Sequence, residues 1–100
     1  MSRDIYVKVQ RAGVQVYPKV YLQLDNMSNQ EAAYYQGAAP YFRYWGFSLT
    51  NLDIRLSDLC IDLNNVDPKT NALTQYRVIN DPEPFPDNHM EIALDRMVGK

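Results

Sequence analysis

Apolar and polar residues alternate with a period of two through every long segment of this chain. No other feature restricts its fold as much. Ile5, Val7 and Val9 alternate with Tyr6, Lys8 and Gln10, the pattern of a strand buried on one face. Ala12-Gly13 is a turn signal, after which Val14 and Val16 resume the alternation. Pro18 cannot donate a ladder hydrogen bond, so it marks an edge, a bulge or a break between two short strands. Val20, Leu22 and Leu24 then face one way, with Tyr21 and Gln23 the other.

The one stretch with helical character follows Asp25-Asn26. Ser28 and Glu31 have the spacing of a capping box, and Gly37 can supply a left-handed stop. This segment fits a helix of about two turns or an ordered loop. It leads through Ala38-Ala39-Pro40 into an aromatic strand, in which Phe42 and Tyr44 oppose Tyr41, Arg43, Trp45 and Phe47.

Asn51 breaks that strand, and a second apolar block follows: Leu52, Ile54 and Leu56, then Leu59, Ile61 and Leu63. The parity shifts by one around Ser57-Asp58, which demands a turn or a bulge there. Residues 64–71 form a polar turn rich in Asn, Asp and Pro. Two further strands span roughly 74–80 and 89–97, carrying Tyr76, Val78, Met90, Ile92 and Leu94 in alternation.

Several short strands separated by turn signals predict a mainly β fold, a small antiparallel barrel or sandwich with one short helix or ordered loop insert. Val7, Val9, Leu22, Leu24, Ile54, Ile61, Val78, Ile92 and Leu94 are its expected core positions. A length of 100 residues fits a single domain over 1–100, because two cores would each be too small. The first ten residues lack the apolar stretch of a signal peptide, and no run approaches the ~18 apolar residues of a membrane span. A protein made in a cytoplasm, which stays soluble there or assembles into something large, is the expectation.

The side chains that carry chemistry are sparse. His89 is the only histidine and Cys60 the only cysteine, so a transition-metal site or a disulfide within the chain is not expected. Cys60 reads as a small core or semi-buried residue. Asp53, Asp58 and Asp62, like Asp81, Glu83 and Asp87, read as solvated charge. They lack the spacing of a calcium loop and a cleft in which paired carboxylates could work. Phosphate-binding glycine loops, nucleophile elbows and Ser/His/Asp sets are absent, so no catalytic residue, cofactor or enzyme activity is expected. Ten Lys and Arg against 12 Asp and Glu leave a formal charge of −2, which disfavours a protein that grips nucleic acid.

Aromatic residues concentrate in 34–47, where Tyr, Trp and Arg suit either a core or a protein–protein surface. One face of this strand is expected in the core and the other available. Two connecting segments are the candidate working parts. Residues 28–40, with Glu31, Tyr34, Tyr35, Gln36, Gly37 and Pro40, are expected to project as a loop or short helix. Residues 80–88, with Asp81, Glu83, Phe85 and Asp87, form a docking loop whose three prolines lower its ordering cost.

In layout the chain resembles the head–tail joining (stopper, or head-closure) proteins of long-tailed bacteriophages. The similarity lies in an I-x-V-x-R type strand, here residues 5–11, and a G/Q-x-E-x-x-Y type segment, here residues 29–35. An aromatic strand (44–49) and an I-R strand at Ile54-Arg55-Leu56 follow. The D-x-I…Y-x-V…h-x-E-L ending is matched by Asp58-Leu59-Cys60-Ile61, Tyr76-Arg77-Val78 and His89-Met90-Glu91-Ile92-Ala93-Leu94.

The resemblance implies a non-catalytic virion protein made in the bacterial host cytoplasm. Such proteins form a homo-oligomeric ring at the head–tail interface, below the portal or its adaptor. They continue the DNA channel, help retain packaged double-stranded DNA and offer a docking surface to tail proteins. Residues 28–40 would then project at a ring interface or channel. No membrane is involved. Subunit contacts would support so small a domain, and a weakly acidic channel would let DNA slide. Two other readings predict different observations. A tail-completion or tail-terminator ring would lie at the end of the tail tube. A small OB-like single-stranded nucleic-acid-binding domain would show salt-dependent oligonucleotide binding.

Overall fold

The computed structural model describes residues 3–28, 30–31, 43–82 and 89–97. Six strands dominate: β1 (Arg3–Arg11), β2 (Val14–Asn26), β3 (Arg43–Ser48), β4 (Leu59–Asp67), β5 (Ala72–Val78) and β6 (Met90–Met97). They form a closed barrel in the order β1-β2-β3-β6-β5-β4, and β4 returns to pair with β1. Every pairing is antiparallel. Of the two β architectures left open by the sequence, the chain adopts the barrel. Among the described residues only Gln30 and Glu31 have helical backbone, and the rest of the expected insert lies outside them.

Alternation places the expected core positions inside the barrel, except on β4. Val7, Val9, Leu22, Leu24, Ile54, Ile61, Val78, Ile92 and Leu94 are all buried, and all but Ile61 join one cluster with Ile5, Cys60, Tyr76 and Met90. Gly46 faces this cluster, opposite Ile92 and Leu24. A Cβ there would stand 3.0 Å from Leu94 Cδ1 and 3.6 Å from Leu22 Cδ1, so the missing side chain lets those two leucines fill the interior.

The turns follow local chemistry. Arg11 pairs with Val14 across Ala12 (φ 52°) and Gly13 (φ 80°), the two left-handed positions of a type I′ hairpin. On β2 the register gains a residue between Val20 and Tyr17 and another between Tyr17 and Gln15. Pro18 falls in the first of these bulges, so β2 runs on through it rather than breaking.

Two expectations are corrected. Leu52, Ile54 and Leu56 do not form a strand. They lie in the connection from β3 to β4, which crosses an end of the barrel because those strands are not neighbours. Buried Ile54 and half-buried Leu52 pack into the core from this crossing, while Leu56 is exposed. The parity shift at Ser57-Asp58 is realised as a turn. Ser57 adopts φ 74°, and its N–H donates to the Val78 carbonyl at 2.8 Å.

The second correction concerns the aspartates. Asp58 and Asp62 are buried, not solvated, and Asp67 of the polar turn is buried as well. Cys60 and Asp62 pair with Val9 and Val7 and so face the interior, which puts Ile61 on the outer face opposite Lys8. Asp62 is tolerated there because Asn64 N–H (3.0 Å) and the Asn65 side-chain amide (2.7 Å) donate to its two oxygens. Asp67 accepts from the Lys69 N–H at 2.9 Å and closes the β4–β5 turn. Cys60 is fully buried, and desolvation is the main cause that pushes its thiol up to about 12.

Candidate functional site

The aromatic strand β3 has the two faces that its alternation predicts. Tyr44, Gly46 and Ser48 turn inward, while Arg43, Trp45 and Phe47 turn outward. On the outer side Trp45 lies opposite Ala93 of β6 and Asp25 of β2. Met27 and Ala93 are buried there, and Trp45 and Ile79 pack against them in a second cluster outside the barrel interior. Arg43, 1% exposed, stands 3.6 Å from Asp95 beside this cluster.

The roots of both candidate segments converge on this patch. The Ser28–Glu31 capping box forms as the spacing predicts: Ser28 N–H donates to Glu31 Oε1 at 2.9 Å, and Glu31 N–H to Ser28 Oγ at 3.2 Å. The second carboxylate oxygen of Glu31 accepts from Trp45 Nε1–H at 2.9 Å, which fastens the first segment to β3. The other segment is tied at its start. Ile79 N–H donates to the Ala93 carbonyl (2.9 Å), and Ala93 N–H donates to Asn80 Oδ1 (3.0 Å). Thus Trp45 and Ala93, direct partners across two strands, each hold one root.

Of the expected site residues, Glu31 is exposed and placed by these bonds, and Asp81 is exposed just beyond the second root. Tyr34, Tyr35, Gln36, Gly37 and Pro40 lie outside the described residues, as do Glu83, Phe85 and Asp87. His89 stands 3.8 Å from Glu91. Among the described residues no group of three or more His, Cys, Asp or Glu side chains is arranged to hold a metal ion.

A polar lock at the crossing went unread in the sequence. The Arg11 guanidinium donates through Nε and Nη2 to the two oxygens of Asp58, each at 2.9 Å, and through Nη2 to the Asp53 carbonyl at 2.9 Å. Asp58 also accepts the Arg55 N–H at 2.9 Å, and Arg55 Nε donates to Asp53 Oδ1 at 2.9 Å. The pairing, chiefly the hydrogen bond to Asp58, makes Arg11 harder still to deprotonate. Arg55, through its hydrogen bond, holds the Asp53 carboxyl below its usual range. A bidentate fork of this kind fixes geometry as well as charge. Alternation carries no trace of it, because its partners are 47 positions apart.

Glu31 gives the site a pH signature. Its carboxyl is held below the usual range, first by the backbone N–H of Ser28 and then by Trp45. A lowered folded-state pKa contributes stability that is present above the ordinary glutamate range and lost as pH falls through the lowered value. Trp45 is the only tryptophan, so its fluorescence reports this step directly. An acid titration is expected to show a Trp45 transition with a midpoint below that of an unperturbed glutamate. Glu31→Gln is expected to abolish it while the barrel stays folded.

No family model, curated protein or solved structure matches the chain.

Proposed function

We propose that this chain is a structural protein of the neck of a long-tailed bacteriophage virion. In this reading it forms a homo-oligomeric ring between the portal or adaptor and the tail. The ring closes the head, helps retain packaged double-stranded DNA and presents a docking surface to tail proteins. It catalyses no reaction.

The observation that carries the reading is that segments resembling the family's motifs meet in space. Arg11, closing the I-x-V-x-R type strand, forks onto Asp58, which opens the D-x-I type segment and also takes the N–H of Arg55 from the I-R segment. Glu31, from the G/Q-x-E-x-x-Y type segment, is held by Trp45 of the aromatic strand. A closed barrel supports the same role. Each strand has a neighbour on both sides, so partners are met through connections and side chains rather than by strand addition. The two connections rooted at Trp45 and Ala93 are the parts offered to those partners.

Electron microscopy of particles carrying a labelled copy of the chain tests the reading. Ring density directly below the portal or its adaptor is expected. Density confined to the far end of the tail tube, or absence of the label from purified particles, would overturn it.

A further inference from the structure

Part of the barrel interior is polar, towards the end where β1 begins and β6 finishes. Tyr76 of β5 is buried and lies opposite Arg96 of β6, so the Arg96 side chain is on the inward face, continuing the row of Ile92 and Leu94. From β1, Arg3 Nη2 donates to the Tyr76 hydroxyl at 3.3 Å. Tyr44 of β3 meets the Tyr76 ring edge-on, with centroids 5.7 Å apart. Asp62 of β4 faces the same interior.

Two cations, Arg3 and Arg96, meet here with one carboxylate, Asp62, so one positive charge is left over. Both oxygens of Asp62 are taken by Asn64 and Asn65. Arg96 is half-buried, and its buried Nε has no hydrogen-bond acceptor among the described residues. A guanidinium presents a fork of five donors that matches the oxygens of a carboxylate or phosphate. Arg96, across the strand pair from Tyr76, and Arg3, bonded to the Tyr76 hydroxyl, are like charges that an anion between them would bridge.

We propose that Arg96 and Arg3, together with the Tyr76 hydroxyl, bind a phosphate-type oxyanion at this mouth of the barrel. The bound group would take bidentate hydrogen bonds from Arg96 and share Arg3 with the phenol. The Tyr76 phenol is held above its ordinary pKa. Burial is the largest influence and raises its pKa, Arg3 and Arg96 act against that, and Tyr44 and Asp62 add to it. This inference does not depend on the proposed place in a virion. It describes a single small-anion site, not a basic groove that tracks a nucleic-acid strand.

The test is calorimetric titration of the folded chain with inorganic phosphate in a chloride background, repeated on Arg96→Gln and on exposed Arg3→Gln. Saturable binding of one phosphate per chain is expected, weakened about tenfold or more in Arg96→Gln. Arg3→Gln carries the comparison if the first variant does not fold. Absence of saturable binding to the unmodified chain, or affinity in the folded variants equal to that of the unmodified chain, would overturn the site. A short DNA duplex is then added as competitor. Displacement of phosphate identifies a nucleic-acid backbone as the source of the group, and lack of displacement identifies free phosphate.

Discussion

Replacing Ile92 by alanine is expected to lower the unfolding free energy by about 2–5 kcal/mol. The upper half of that range is the more specific expectation. Ile92 is fully buried on β6, and its cross-strand partner is Gly46, which has no side chain to move into the space left behind. Leu94 Cδ1 already stands 3.0 Å from where a Gly46 Cβ would be, so the leucines that cover the glycine are close-packed and have little room to relax. A domain of this size has a total stability of the order of 5–15 kcal/mol, so the variant would sit near its unfolding threshold. Urea unfolding followed by Trp45 fluorescence reads the effect as a fall in midpoint at constant slope. A shift of a few tenths of a molar or less would show that this site is not the packed centre of the barrel.

The second large effect is expected at Asp58. This carboxylate is 1% exposed and serves three donors, the Arg11 Nε and Nη2 and the Arg55 N–H. Its own backbone carbonyl accepts from Val78 N–H at 2.9 Å, so the residue joins β1, the crossing and β5 at one point. Asp58→Ala removes the acceptor for a charged fork and strands a backbone N–H, at a cost of about 2–3 kcal/mol. The figure is kept below that of a fully buried ion pair because the Arg11 side chain is 30% exposed and water can take over part of its solvation. Asp58→Asn keeps the shape but turns a donor towards at least one of the three donors, so it should cost nearly as much. Once Asp58 is gone, replacing Arg11 should add little further loss, and a double-mutant cycle on denaturant midpoints measures that coupling. Additive losses would mean that the fork does not hold the crossing.

These two sites differ in how visible they are from sequence. Ile92 belongs to a row with Met90 and Leu94 whose alternation alone places it inside, and the same argument found Val7, Val9, Leu22, Leu24 and Val78. The argument stops where hydropathy no longer tracks the face. On β4, Leu59, Ile61 and Leu63 point outward while Cys60 and Asp62 point in, because Asp62 is satisfied by neighbours two and three residues away. Local hydrogen bonds of that kind leave no periodic signal. The choice of barrel over sandwich was equally invisible. It depends on a four-residue pairing of Val7–Gln10 with 59–62, and closure of that kind is a long-range property of the whole sheet.

The candidate site was legible in part. The capping box formed by Ser28 and Glu31 follows from spacing, and the outward face of the aromatic strand follows from parity. That Trp45 would grip Glu31, and that Asn80 would hold the strand beside it through Ala93, required the fold to bring residues 14 and 13 positions apart into contact. Together these contacts turn two loops read separately in the sequence into neighbours rooted on one patch.

The central claim is that the barrel carries these two segments and that they perform the function. Its most direct measurement is the yield of infectious, DNA-filled, tailed particles assembled with altered chains. One variant replaces Tyr34 and Tyr35 by serine, and another replaces Glu83 and Phe85 by serine. Folding of both is checked first by Trp45 fluorescence, and both folded variants are expected to give particles that lose DNA or fail to acquire tails. Full yields of infectious particles from both folded variants would contradict the claim.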